Sequence, residues 1–367
     1  MTGFFQSIIT IVLFILILGG LVVIHELGHF VTARLAKVKV LEFGIGFPPR
    51  AKVMRSKGET LYTLNWLPIG GFVKLEGEDG NDADDPRSFS SQGLARKLTI
   101  LVAGVLMNVL VAFVIFTGIA WLASPFVGVR FFEVQPGSPA AAAGLQPGDA
   151  IVGVDGQRYQ FITGPNALTG LRDRAGETIV LTIADAGGTL RDVTTTLRTD
   201  AEINDQQGAL GISGATKPFE GYFYGVYTTN DLPTAVSIGA KETVRWMGLI
   251  VGGLASLVGS VVADPTAPPP VSGPIGIATQ IGDIFWNSGW VMTLYVAGIL
   301  SANLAVVNIL PFPPLDGGRM LMLTLKRIFG TRISLRAEQL TYVVGFVFLF
   351  AFIIWVSGYD IIRSLGG

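Results

Sequence analysis

Apolar residues in this chain come in long unbroken runs, unlike the one-faced or alternating patterns of a water-soluble core. Phe4 to Ile24 contains no charged residue, and at about 1.5 Å per residue such a run covers the roughly 30 Å hydrocarbon core of a bilayer. Uncharged runs recur at Leu98 to Ala123, Ile284 to Leu315 and Leu340 to Tyr359. The pattern predicts a multi-pass α-helical membrane protein with four transmembrane helices. No lysine or arginine precedes residue 34 and no small-residue cleavage site follows the first run, so a retained span is expected rather than a secretory signal. Trp246 to Ala263 is also uncharged but includes four glycines and two serines in 18 residues. It reads as an interfacial helix or one packed on the bundle.

Two stretches break the helical pattern. Residues 125–216 alternate short apolar runs, such as Ala150 to Val154 and Thr178 to Ile183, with glycine, proline and aspartate turns, which predicts a compact β-rich domain. Within it, Gly137-Ser138-Pro139-Ala140-Ala141-Ala142-Ala143-Gly144-Leu145-Gln146-Pro147-Gly148-Asp149 reads as a short capped helix, a Pro-Gly-Asp turn and the start of a strand. This string resembles the PDZ fold, which implies strand-addition binding of extended peptides or free carboxyl termini. Residues 40–75 carry two apolar, glycine-rich strand patterns separated by Arg55-Ser56-Lys57-Gly58. They predict a membrane-associated β-hairpin, re-entrant only if protein or a watery cavity covers its backbone groups.

The expected organisation is therefore a first span over 1–36, the hairpin and loop over 37–95, a second span over 96–124 and the PDZ-like domain over 125–216. An interfacial helix and connector over 217–283, a third span over 284–318, and a loop with the fourth span over 319–367 complete it.

Composition agrees with a bilayer environment. Half of the 367 residues are apolar and 14% are charged, against about a quarter charged in soluble proteins, and the mean hydropathy is +0.55. Lysine and arginine set the orientation. Residues 34–97 carry 11 of the 26 and residues 319–336 carry five, whereas 124–290 carries nine. The two short basic segments are expected in the cytoplasm, and both termini and the PDZ-like domain in the periplasm of a bacterial inner membrane. A net charge of −1 gives no footprint for nucleic acid, so the partners expected are lipid, protein substrates and peptides.

Cysteine is absent and the two histidines, His25 and His29, fall within five residues. His25-Glu26-Leu27-Gly28-His29 matches H-E-x-x-H, in which i and i+4 imidazoles share a helix face and reach one Zn²⁺ while the glutamate faces the attacking water as general base. Three ionisable groups at the end of an apolar run are costly without a function. A catalytic zinc takes three protein ligands, so with no further histidine or cysteine the third must be a carboxylate at membrane depth. Asp316 qualifies: it ends an uncharged run and opens Asp316-Gly317-Gly318. With three crossings before it, Asp316 arrives on the same side as His25. A crossing by 246–263 would put them about 30 Å apart.

His25 to His29, the glycine-rich hairpin, the PDZ-like string, Val271-Ser272-Gly273-Pro274-Ile275 and Asn308-Ile309-Leu310-Pro311-Phe312-Pro313-Pro314-Leu315-Asp316-Gly317-Gly318 together resemble the bacterial site-2 protease family. The resemblance implies intramembrane zinc proteolysis of single-span substrates, such as anti-sigma-factor-like regulators, in regulated intramembrane proteolysis. It also implies that Asn308 contacts substrate backbone, with Asn303 a weaker choice; an amide at either position also suits helix–helix hydrogen bonding. The competing reading is a zinc-binding membrane scaffold that presents peptides without cleaving them, which would need the ligands but not Glu26.

Overall fold

The computed structural model of the chain describes residues 2–56, 58–78, 85–125, 128–158, 171–204, 207–214, 222–223, 227–264, 268–330 and 335–365. The residues 159–170 within the expected PDZ-like domain lie outside that set. Two compact units emerge, one formed by Met1–Phe116 with Ala240–Gly367 and the other by Thr117–Gly239.

The first unit opens with helix α1 (Thr2–Leu35), followed by strands β1 (Val40–Arg55) and β2 (Leu61–Leu75) and helix α2 (Leu94–Leu122). β1 and β2 pair antiparallel, but Phe43 pairs with both Val73 and Tyr62, and Gly44 with both Phe72 and Thr63. The long strands thus double back, and the expected simple hairpin becomes a small curled sheet. β1 ends at Arg55 and β2 begins at Leu61, so the break between them falls at the charged stretch read from the sequence. The base of the sheet is fixed by a buried cluster of Ala33, Val38, Val40, Leu75, Phe89, Ile100 and Leu101.

In the second unit, β3 (Ser124–Pro125), β4 (Gly128–Val134), the short helix α3 (Pro139–Ala142), β5 (Ala150–Val154), β6 (Gln157–Arg158), β7 (Thr178–Ala184), β8 (Leu190–Thr196), β9 (Ile212–Gly214), β10 (Tyr222–Phe223) and β11 (Tyr227–Thr228) follow in order. One sheet runs β10-β4-β5-β7-β8, with β6 on β5 and β9 on β4. Its core gathers Phe131 of β4, Ile151 of β5 and Ile179, Leu181 and Ile183 at alternate positions of β7, with Leu145 from the turn after α3. Ser138 caps α3 through its Oγ, which accepts from the Ala141 N–H, with Pro139 at the first turn.

The chain then enters α4 (Leu232–Ala263), α5 (Pro274–Ile309), α6 (Asp316–Phe329) and α7 (Leu335–Leu365). Among the described residues five helices (α1, α2, α4, α5 and α7) are long and apolar enough to cross a membrane, one more than the four expected. The addition is α4. The sequence run began at Trp246 because Lys241, Glu242 and Arg245 precede it, yet the helix begins at Leu232. Glu242 is buried, bonded to Arg245 at 2.8 Å and accepting from the Tyr295 hydroxyl at 2.9 Å, so these charges do not end the helix. The third uncharged run likewise understated α5, which starts at Pro274 and carries Asp283 on an exposed face. α5 bends at Gly289, whose φ of +74° favours glycine.

Helix directions follow from residue pairs. Gly282 lies against Thr10, and Leu21 and Leu300 share a cluster, so α5 runs parallel to α1. Gly298 lies against Phe116, while the Ser301 hydroxyl donates to the Asn108 carbonyl at 2.8 Å, so α5 runs antiparallel to α2. Asp360 accepts from the Gly276 N–H at 2.8 Å and Gly345 abuts Pro313, which makes α7 antiparallel to α5. α5 is the most buried of these five helices, and α4 and α7 are the least.

Candidate metal centre and active site

His25 and His29 lie one turn apart on α1, both buried, with their rings edge to face and centroids 4.8 Å apart. Asp316 reaches them from 291 positions downstream of His25. Its Oδ2 is 2.9 Å from His25 Nε2 and 3.2 Å from His29 Nε2, and the two Nε2 atoms are 3.1 Å apart. One ligand atom from each of the three residues falls within 4.8 Å of the others. Among the described residues this is the group of three such side chains able to hold a metal ion.

Two glycine pairs bring the backbones close enough. A Cβ on Gly104 of α2 would lie 2.4 Å from His29 Nε2 and 2.8 Å from His25 Cε1, and one on Gly28 would meet the Ala103 carbonyl at 2.4 Å. Only hydrogen atoms at these positions let α2 press against the imidazoles. On the other side, Gly317 and Gly318 sit directly on the backbone of residues 309–313, where added carbons would collide at 2.2 to 2.5 Å. The double glycine therefore folds α6 against the end of α5 and delivers Asp316 to the histidines, the close approach expected of those residues.

The chemistry of the donor set fits a zinc ion. His29 Nδ1 faces the Ile100 carbonyl at 2.8 Å. A carbonyl oxygen only accepts, so Nδ1 carries a proton, which in the neutral ring leaves the Nε2 lone pair available to a metal ion. Two imidazole nitrogens and one carboxylate oxygen, converging within α1 and at the start of α6, are the donor types and number that a catalytic zinc takes from protein.

Glu26 lies beside the cluster, one residue from His25 on the turn facing the curled sheet. Its Oε2 accepts from the Val73 N–H at 3.1 Å. A cavity of about 320 Å³ is lined by Glu26, His29, Phe72, Val73, Asp316 and Arg319, among others. Arg319 is ion-paired with Glu78, which also accepts from the Leu75 N–H at 3.1 Å. Asn303 and Asn308, half-buried on α5, are not among the residues lining this cavity.

Sequence reasoning passed over Asn108, Gly104, Glu78 and Arg319. Asn108 carried a usable signal, since it is an amide in the uncharged run Leu98 to Ala123 and intramembrane polar groups are costly without a task. Glu78 and Arg319 had none, being acidic and basic residues of loops or amphipathic segments.

Comparison with known proteins agrees with the geometry. The family model described as peptidase family M50 matches residues 13–352. The chain is 33% identical over 98% of its length to a protein of Clostridium acetobutylicum named as a zinc metalloprotease, with 99% of that protein covered. It is 28% identical over 97% of its length to the zinc metalloprotease RasP of Geobacillus kaustophilus, 98% of which is covered. A similarly named protein of Agrobacterium fabrum is 29% identical over 100% of this chain and 98% of its own. With a match spanning nearly every described helix, the chain belongs to peptidase family M50 and is a zinc metalloprotease of the site-2 type.

Proposed function

We propose that the chain hydrolyses peptide bonds of single-span membrane proteins, anti-sigma-factor-like regulators or signal-peptide remnants, within the bilayer. The observation that carries this reading is the convergence of His25 Nε2, His29 Nε2 and Asp316 Oδ2 beside Glu26 at the edge of a cavity. His25, His29 and Asp316 are the ligands. When bound, zinc would supply Lewis-acid polarisation of the scissile carbonyl and would acidify the attacking water. Glu26 takes the proton of the attacking water and returns it to the leaving nitrogen. The Val73 N–H orients the Glu26 carboxylate for that transfer, and the sheet edge beside it holds the unwound substrate as an added strand. Asn308, with Asn303 as the weaker choice, contacts the substrate backbone.

Four helices cross the membrane: α1, α2, α5 and α7. The parallel run of α1 and α5 supports this, because a net crossing by α4 would reverse α5. The second unit is a PDZ-like peptide-binding domain on the periplasmic face of a bacterial inner membrane, with both termini, and the zinc site lies toward the cytoplasm. Support comes from the capped α3 leading into β5 and from the basic segments at 34–97 and 319–336.

The test uses full-length protein in liposomes with a tagged single-span substrate. Glu26→Gln should keep zinc while cleavage falls by about 10²–10⁴-fold. Unchanged cleavage in that variant would sink the mechanism.

A further inference from the structure

Asn108 is fully buried on α2, and its amide lies against the ring nitrogen of His25 that points away from Asp316, Nδ2 to Nδ1 at 3.2 Å. Its Oδ1 is buried and has no hydrogen-bond partner among the described residues. On the opposite side of the ring, His25 Nε2 faces Asp316 and His29 Nε2.

These facts conflict unless the amide turns. An Nδ2 donor on Nδ1 requires the lone pair there and the proton on Nε2, which blocks Nε2 as a metal ligand. A half-turn of the amide places the unused Oδ1 on Nδ1, which then carries the proton and leaves Nε2 its lone pair. We infer that Asn108 is a positioning residue for zinc, its side-chain oxygen accepting from His25 Nδ1–H and fixing the ligating tautomer. This rests on the assignment of His25 as a ligand.

The two histidines differ in how their tautomers are set. His29 is held by a backbone carbonyl, which every sequence supplies. His25 depends on a side chain, and Asn108 is placed for it twice over. Gly104, one turn earlier on α2, permits the close approach, and the Ser301 hydroxyl donates from α5 to the backbone carbonyl of Asn108.

The experiment measures zinc affinity of the full-length protein in detergent, by competition with a chromophoric chelator, alongside thermal unfolding of the zinc-free protein. Asn108→Leu keeps the size and removes the acceptor; zinc should bind about 10–100-fold more weakly, with zinc-free unfolding little changed. Asn108→Asp offers only acceptor oxygens and should bind within about threefold of the parent, as carboxylate–histidine–zinc pairs do. Parental affinity in Asn108→Leu, or equal losses in both variants, would overturn the inference. Should the leucine variant not fold, Asn108→Ala, which also removes the acceptor, takes its place under the same criteria. His25→Ala separates the underlying assignment: parental zinc affinity there removes the ligand set itself, whereas zinc loss there with retention in Asn108→Leu removes only the role of Asn108.

Discussion

The carboxylate of Glu26 on the first helix accepts its hydrogen bond from the backbone N–H of Val73, 47 positions away on the curled sheet. The proposed base is therefore oriented by a strand, and the alignment of that strand bears on proton transfer. Val73→Pro removes the donor while leaving every zinc ligand in place. Cleavage should fall about tenfold or more through kcat with zinc content unchanged, whereas Val73→Ala, which keeps the N–H, should stay near the parent. Equal rates in the proline variant and the parent would dissociate the strand from the base.

Gly104 faces both imidazoles with no room for a methyl group. Gly104→Ala should weaken zinc binding at least tenfold, because the nearest atoms are ring atoms held by Ile100 and by the packing of α1 on α2. Gly118, on the same helix with nothing within 4 Å, provides the comparison: Gly118→Ala should be neutral or stabilising by about 0.5–1 kcal/mol. Chelator competition on the two variants checks the contrast.

Asp360, buried on α7, accepts from Gly276 N–H at 2.8 Å and Gly273 N–H at 3.3 Å at the start of α5. Asp360→Ala leaves those donors without it and should destabilise the first unit by about 1–3 kcal/mol. Asp360→Asn retains one acceptor oxygen and should lose less. Hydrogen exchange at residues 273–277 reports the change directly; protection equal to the parent in Asp360→Ala would refute it.

In the second unit, Asp155 stands at φ +50° and accepts from the Val180 N–H at 2.8 Å, with Arg174 beside it at 2.7 Å. The Val180 hydrogen bond first, and Arg174 second, hold its carboxyl below the ordinary aspartate range. A folded-state pKa below the unfolded one contributes stability above about pH 4 and loses it as pH falls through the folded value. The stability difference between the parent and Asp155→Asn should accordingly be present at pH 6 and shrink below pH 4. Thermal unfolding of both proteins across that range tests the sign; a difference that grows on acidification would reverse it.

How much of this was legible beforehand varied by residue. His25, Glu26 and His29 announce themselves because histidine is rare here and the spacing is helical. Asp316 followed from the need for a carboxylate at membrane depth, and Gly317-Gly318 from the close approach they permit. The extents of α4 and α5 were not legible. Charged residues interrupt both apolar runs, and only the fold shows Glu242 satisfied by Tyr295 and Arg245, or Asp283 turned outward. The doubling of β1 and β2 was likewise hidden, since a strand pattern specifies which faces are apolar but not how many partners a strand takes. Asn108 was visible as an amide among apolar residues, yet its importance depends on which ring nitrogen it meets, a property of packing rather than of sequence.

The bend at Gly289 separates two moorings of helix α5. Above it, α5 is tied to α7 through Asp360 and to α1 at Gly282; below it, to α2 through Gly298 and Ser301, the latter gripping the residue beside His25. A rod would carry any displacement of the upper ties straight into the floor of the metal centre. The bend, at a backbone angle that favours glycine, interrupts that line, so the two moorings hold differently directed segments of one helix.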